Sequence, residues 1–257
     1  ARSANIVLVA VLGPRAAGGG RAGRGAAGGA GAAAPPAAAT DSGERGVYRS
    51  TDGGRTWTRV LPVNGSSGAS DIWIDYRDPQ IVYALLSAGA ASPAVPASPQ
   101  PAAASGTGLY KSIDGGVTWQ SVNGLGLPDG SRISAFSVSA GTHGRRLYAM
   151  ASAGGGGRGA GGGRALYRSD DGGDTWTFGT RHLASAGGKM YADPQNQDVV
   201  YIMGTAMYRS TDAGQHVTAF WGAPSGADPR YLWIDPTNSR RMMAGVDQGA
   251  AISVDGG

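Results

Sequence analysis

Cysteine is absent from all 257 residues, which excludes disulfides, thiolate nucleophiles, thiolate zinc sites and iron–sulfur clusters within them. Glutamate is nearly absent too, Glu44 being the only one. The three histidines, His143, His182 and His216, are scattered with no ligand spacing, so no metal site is expected and no cofactor is implied. Charged residues make up 16% of the chain, against a usual share of about 25%. The net charge of +4 is a mild bias over a large surface, and it does not imply a nucleic-acid partner. Long apolar runs are missing: "NIVLVAVLG" (5 to 13) falls short of the roughly 18 residues that a membrane span needs, and it lacks the flanks of a signal peptide. No stretch holds a helical period long enough to compete with strand patterns.

What is abundant is glycine, 46 of 257 residues and far above the average of roughly 7%. Part of it lies in a phrase that recurs. "GVYRSTDGGRTW" (46 to 57) returns as "GLYKSIDGGVTW" (108 to 119) and "ALYRSDDGGDTW" (165 to 176), then degenerates to "AMYRSTDAGQHV" (206 to 217), and "AISVDGG" (251 to 257) is a fifth copy. Self-similarity at this spacing is the sign of a propeller, solenoid or array.

Around each phrase lie short runs rich in β-branched and aromatic residues, separated by Asp-Pro, Gly and Asp-Gly. In the second copy these are "SDIWIDYRDPQ", "IVYALLS", "GTGLYKSID" and "TWQSV", which read as antiparallel strands A, B, C and D. The series recurs; 41 residues separate Asp171 from Asp212, and 43 separate Asp212 from Asp255. Four strands repeated at about 40 residues make a β-propeller blade. We therefore expect an all-β propeller of four-stranded antiparallel blades, with units near 1–60, 61–122, 123–178, 179–220 and 221–257. The first unit reads without its strand A and the last without its strand D, giving an incomplete ring of about five blades.

Three Ala-, Gly- and Pro-rich inserts, 14–44, 88–106 and 152–163, cannot build a core, and all fall between strands B and C. In an up-and-down blade the B–C and D–A connections leave one end and the A–B and C–D turns the other. Repeat proteins commonly place variable loops on the binding face, so function is expected on the insert end. The Arg-Gly stretches in the inserts contain no aromatic residue to stack a base, and read as linker.

The repeated phrase spans the C–D turn. Asp-Gly supplies positive φ, the carboxylate can accept nearby amides, and the hydroxyls can close further local bonds. On this reading a structural set comprises Ser50, Asp52, Gly54, Thr56 and Trp57; Ser112, Asp114, Gly116, Thr118 and Trp119; and Ser169, Asp171, Gly173, Thr175 and Trp176. Ser210, Asp212 and Gly214, and then Ser253 and Asp255, complete it. The tryptophans are expected to cover apolar surface between strands. Calcium would need about six converging oxygens and catalytic carboxylates a facing partner, and one carboxylate per repeat provides neither. Asp75, Asp193 and Asp235, at the ends of the A strands, read as turn formers.

The pattern S-x-D-x-G-x-T-W resembles the Asp-box, or BNR, repeat of β-propellers, whose families include sialidases, xyloglucan-type glycoside hydrolases, the photosystem II assembly factor and the sortilin receptor. The longer stretches "YADPQNQDVVYI" and "LWIDPTNSRRM" are most similar to large exported bacterial proteins labelled sortilin-like or BNR glycosyl hydrolase. That resemblance implies a secreted or periplasmic module binding protein or glycan, with the remaining blades of a parent chain as neighbours. A sialidase would need a glutamate beside a nucleophilic tyrosine, and Glu44 borders an insert. A xyloglucanase-like enzyme would need two aspartates across a cleft. Related bacterial sequences carry a His-Gly-Asp-rich stretch before "LWIDP" and an Asn-Asp-Gly-Gly after the next strand. Asp228 and Asp247 stand at those places here, without the histidines, and are the catalytic candidates. Expected to project from the insert end, and so candidates for ligand binding, are Asp71, Asp129, Arg181, His182, Lys189, Trp221, Arg230 and Tyr231.

Overall fold

A computed structural model describes residues 5–12, 45–63, 67–75, 77–88, 107–122, 124–128, 131–152, 164–180, 186–204, 206–221, 229–247 and 249–257. The inserts at 14–44 and 88–106 lie outside these residues apart from position 88, and that at 152–163 apart from position 152. All regular structure described is β, in five antiparallel sheets. The first contains β1 (Val7–Val11), β2 (Gly46–Ser50) and β3 (Thr58–Pro62). In the second are β4 (Ser67–Ile74), β5 (Val82–Ala88), β6 (Gly108–Ser112) and β7 (Gln120–Ser121). β8 (Arg132–Val138), β9 (Leu147–Ser152), β10 (Arg164–Ser169) and β11 (Thr177–Phe178) form the third. β12 (Ala186–Ala192), β13 (Val200–Gly204), β14 (Met207–Ser210) and β15 (Thr218–Trp221) form the fourth. The fifth consists of β16 (Tyr231–Ile234), β17 (Met242–Val246) and β18 (Gly249–Ser253). Within each sheet the strands lie in chain order, the up-and-down arrangement of a propeller blade.

The second strand of each full blade is an almost unbroken apolar run because it is buried on both faces. Alternation then assigns each residue to one neighbour. On β5, Ala84 and Leu86 pack toward the first blade with Val47 and Leu61, while Tyr83 and Leu85 pack toward the third with Phe136 and Leu147. β9 divides likewise, Leu147 and Ala149 facing the second blade and Tyr148 and Met150 the fourth. On β13, Val200 and Ile202 face the third blade, and Tyr201 and Met203 the fifth. The core is thus four apolar layers, each between two consecutive sheets.

One register runs through the blades. Val82, Leu147, Val200 and Met242 each pair with the last residue of the preceding strand and with a box serine, respectively Ser112, Ser169, Ser210 and Ser253. The A–B turns close with the same bond four times, from Asp75 N to Ile81 O, Ser139 N to Arg146 O, Asp193 N to Val199 O and Asp235 N to Arg241 O. Each box turn then donates an amide to the A–B turn beside it, as Gly115 does to Gln80 and Gly172 to Arg145. Both turn types therefore share one end of the second to fifth sheets.

That end is also tied from blade to blade. Arg49 Nε donates to Gly115 O at 2.9 Å, Tyr83 Oη to Gly144 O at 2.7 Å and Tyr148 Oη to Gln197 O at 2.6 Å. Arg146 joins Asp170 of its own blade to Asp198 of the next. The box end is a continuous hydrogen-bonded rim.

Candidate ligand-binding site

Asp52, Asp114, Asp171 and Asp212 each accept several hydrogen bonds from their own turns. Asp171 Oδ1 accepts the Ser169 hydroxyl at 2.7 Å and the Thr175 amide at 2.9 Å, while Oδ2 accepts the Thr175 hydroxyl. Asp52 and Asp114 repeat this set. At Asp212, His216 Nδ1 takes the threonine's place at 2.6 Å. The Thr56 hydroxyl and amide and the Ser50 hydroxyl hold the Asp52 carboxyl well below the ordinary range, and those of Thr118 and Ser112 do the same for Asp114. Asp171 and Asp212 are lowered to about 2, the hydrogen bonds from their own turns outweighing a burial effect that acts the other way. A carboxylate that accepts three or more bonds from its own turn, and is held ionised by them, is poorly placed to give up a proton or to anchor an ion. Asp75, Asp193 and Asp235 act as turn formers, each accepting the amide two residues ahead through Oδ1 at 2.8 Å.

The opposite end differs. Counting three residues back from the paired ends Ile74, Val138, Ala192 and Ile234 puts Asp71, Ala135, Lys189 and Tyr231 at equivalent positions on the four innermost strands. β-Bulges interrupt the first three strands beside this level, between Ala69 and Asp71, Ile133 and Ala135, and Ala186 and Met190. Bulges re-aim side chains and recur beside functional sites. Alternation directs Tyr191 to the same side as Lys189, and the two tyrosines meet edge to face, Tyr191 and Tyr231 centroids being 5.8 Å apart. The Lys189 ammonium lies 5.5 Å from the centroid of the Tyr231 ring, a cation–π contact. Tyr231 remains 55% exposed, an open aromatic surface.

Electrostatics link these side chains across the small Ala135. Burial pushes the Asp71 carboxyl up, partly offset by the Ile72 amide at 2.9 Å and the Lys189 charge. Tyr191 is pushed up to about 12, by burial first and then by Tyr231 and Asp71, the Leu232 amide acting the other way. Its hydroxyl is withdrawn from solvent without a hydrogen bond in normal geometry. Beside Tyr231, Arg230 grips Asp247 with two contacts, Nε to Oδ1 at 3.0 Å and Nη2 to Oδ2 at 3.3 Å, and holds that carboxyl down. One end of the inner strands thus combines a semi-buried carboxyl, an ammonium, an open aromatic face and a guanidinium–carboxylate pair. This set can stack on an apolar face and hydrogen-bond polar groups around it.

Five predicted positions, Asp71, Lys189, Arg230, Tyr231 and Asp247, lie at this level. Asp129, Arg181, His182 and Asp228 lie outside the described residues, as does the side chain of Trp221, whose backbone ends β15. Sequence reasoning missed Tyr191, although its place two residues beyond Lys189 on a strand assigns it to the same face. Trp57 departs from the expected cover between strands: it is 42% exposed, whereas Trp176 is 5% exposed. Trp119 and Trp176 pack into the layers shared with the blade before theirs, and no described blade precedes that of Trp57. No cluster of three or more acidic or histidine side chains suited to a metal occurs among the described residues.

Comparison with known proteins agrees with this architecture. No curated protein sequence matches the chain. Among solved structures, the GH74 xyloglucanase of Xanthomonas campestris is similar over 83% of this chain and 34% of its own, at 21% identity and a TM-score of 0.55. An ancestral GH74 enzyme is similar over 79% of this chain and 25% of its own, at 18% identity and a TM-score of 0.54. The chain therefore spans about a third and a quarter of the lengths of these two relatives, and at such identities the likeness is one of fold. Residues 48–59 match the BNR/Asp-box repeat, and with the five sheets and their common turns the chain has the fold of a BNR-type β-propeller.

Proposed function

We propose that this chain is a ligand-binding module of an exported, sortilin-like bacterial Asp-box protein, holding a glycan or protein ligand at the loop end of its inner strands. One observation carries the reading: Asp71, Lys189 and Tyr231 occupy one register position on the second, fourth and fifth blades, at the end away from the hydrogen-bonded box turns. Secretion rests on the resemblance of "YADPQNQDVVYI" and "LWIDPTNSRRM" to exported proteins; no helix is long and apolar enough to cross a membrane among the described residues.

A hydrolytic role would need a carboxylic acid and a carboxylate flanking the bond to be cleaved. Asp247, ionised and held by Arg230, is poorly suited to donate a proton. Binding without turnover is the outcome this arrangement favours. The test is calorimetry against plant polysaccharide oligosaccharides and extended peptides, with reducing-sugar release followed in parallel. Saturable binding that falls at least tenfold in Lys189→Ala and Tyr231→Ala, with no sugar released, is expected. Sugar release abolished by Asp228→Asn or Asp247→Asn would establish the hydrolase instead.

A further inference from the structure

Charge is unevenly divided between the two ends of the sheets. At the loop end the described residues carry Arg45, Arg132, Arg164, Lys189 and Arg230 against Asp71 and Asp247. The other described residues hold eleven arginines and lysines against twelve aspartates, so the excess of positive charge lies at the loop end. Ion pairing follows the same division. At the box end Arg146 joins Asp170 and Asp198, and Arg168 joins Asp170. At the loop end Arg230 holds Asp247, while Arg45, Arg132 and Lys189 form no ion pair among the described residues. Burial disfavours charge on Asp71, the remaining carboxyl there.

The register places these cations in a pattern. Arg45 and Arg164 each stand five residues before a box serine, Ser50 and Ser169, and so at the same point of strand C in the first and third blades. Arg132 and Arg164 both pair with Ser152, from opposite sides of β9. Paired residues share a face, so two guanidinium groups rise from one side of the third blade, on strands about 10 Å apart at the usual strand spacing. On that face Met150 and Leu166 pack toward the fourth blade, which carries Lys189. Arg45 adds a second kind of observation. It is 9% exposed, and its Nη1 is closed off from solvent with no hydrogen-bond partner among the described residues. Withdrawing a charge from water without a counter-charge is costly, and an anion brought to that guanidinium lowers the cost.

We infer that the ligand of the loop end is an acidic glycan, its carboxylate or sulfate groups bound by Arg132, Arg164 and Lys189 and a sugar ring laid on Tyr231. This rests on the reading of the loop end as a ligand-binding site, and adds the sign of the ligand's charge. Guanidinium groups take the oxygens of such anions through paired N–H donors, and the scarcity of counter-charge leaves the local field positive. Single-stranded nucleic acid would need a series of stacking platforms, whereas Tyr231 is the one aromatic side chain more than half exposed among the described residues. A run of acidic amino acids supplies carboxylates but no ring to lie on Tyr231.

The test is calorimetry of the whole chain with two matched pairs of oligosaccharides, oligogalacturonate against galactan and sulfated dextran against dextran. At least one acidic chain is expected to bind roughly tenfold or more tightly than its neutral counterpart, and to lose that advantage on moving from low salt to about 0.5 M sodium chloride. The tighter of the two names the acid group. Arg132→Gln and Arg164→Gln combined should weaken the acidic chain roughly fivefold or more and leave the neutral chain unchanged. Arg55→Gln, which removes the same kind of charge at the box end, should bind as the wild type does, and circular dichroism identical to wild type shows that each variant is folded. Equal binding of acidic and neutral chains, or affinity indifferent to Arg132 and Arg164, would overturn the inference while leaving the loop end a glycan site. Failure of folded protein to bind any of the four chains would overturn the underlying reading as well. Tighter binding of polyglutamate or oligothymidine than of the better acidic chain would overturn the inference in favour of a peptide or nucleic-acid ligand.

Discussion

Ala213 occupies the first glycine position of the fourth box with φ of 60°, in the left-handed region that Gly53, Gly115, Gly172 and Gly256 adopt in the other copies. For a residue with a Cβ this conformation costs roughly 1–2 kcal/mol, partly offset because alanine has less freedom to lose on folding. Ala213→Gly should therefore raise stability by about 0.5–1 kcal/mol in urea unfolding. Asp171 is the converse case. Its carboxylate satisfies several local donors, and Asp171→Ala should lower stability by about 1–2 kcal/mol after allowance for solvent at an open turn. Titration separates the two kinds of aspartate by sign. With folded pKa values below the ordinary 3.8, the box carboxylates contribute stability that is present above that pH and is lost as pH falls toward about 2. Asp71 is raised, so its effect is favourable at low pH and is lost as pH rises through the folded value. Asp71→Asn should thus melt higher than wild type at pH 7, and the difference should vanish in melts below pH 3.8.

Strand and turn were legible in the sequence because both rest on local chemistry. Tyr-Ala-Leu-Leu in β5 and Tyr-Ala-Met-Ala in β9 are short apolar runs bounded by turn signals, and the Asp-Gly-Gly corners fix the hairpins between them. Burial of the tryptophans was not legible, since it depends on the blade before. Trp176 lies in a complete layer and Trp57 at an uncovered face. Truncating the first should cost about 3–5 kcal/mol, and truncating the second less than half of that, as measured by denaturant unfolding of the two alanine variants. The candidate site was half legible. Arg230, Tyr231 and Asp247 flank an obvious strand, and Lys189 and Asp71 lie at the end of their strands away from the A–B turns. Their convergence across Ala135, and the part of Tyr191, depend on the alignment of four strands far apart in the chain, which only their pairing registers reveal.

Across the whole molecule, stiffness and chemistry are separated. The turn end is crossed between blades by Arg49, Tyr83, Tyr148 and Arg146, so its contacts are already spent on architecture. The loop end keeps an exposed ring, an ammonium and a semi-buried carboxyl on rigid inner strands, the arrangement that holds recognition groups with least disorder. At the two outer sheets, Val9 and Trp57 on one side and Met243, Ile252 and Val254 on the other leave apolar side chains open. Faces and edges of this kind promote association, so the chain alone is expected to sediment as concentration-dependent oligomers. The most direct test of the division between a structural end and a recognition end is hydrogen exchange by mass spectrometry, with and without a bound oligosaccharide or peptide found in the binding screen. The account predicts new protection over 186–192 and 230–247 and none at 52–57, 114–119 or 171–176; protection centred on those three turns would contradict it.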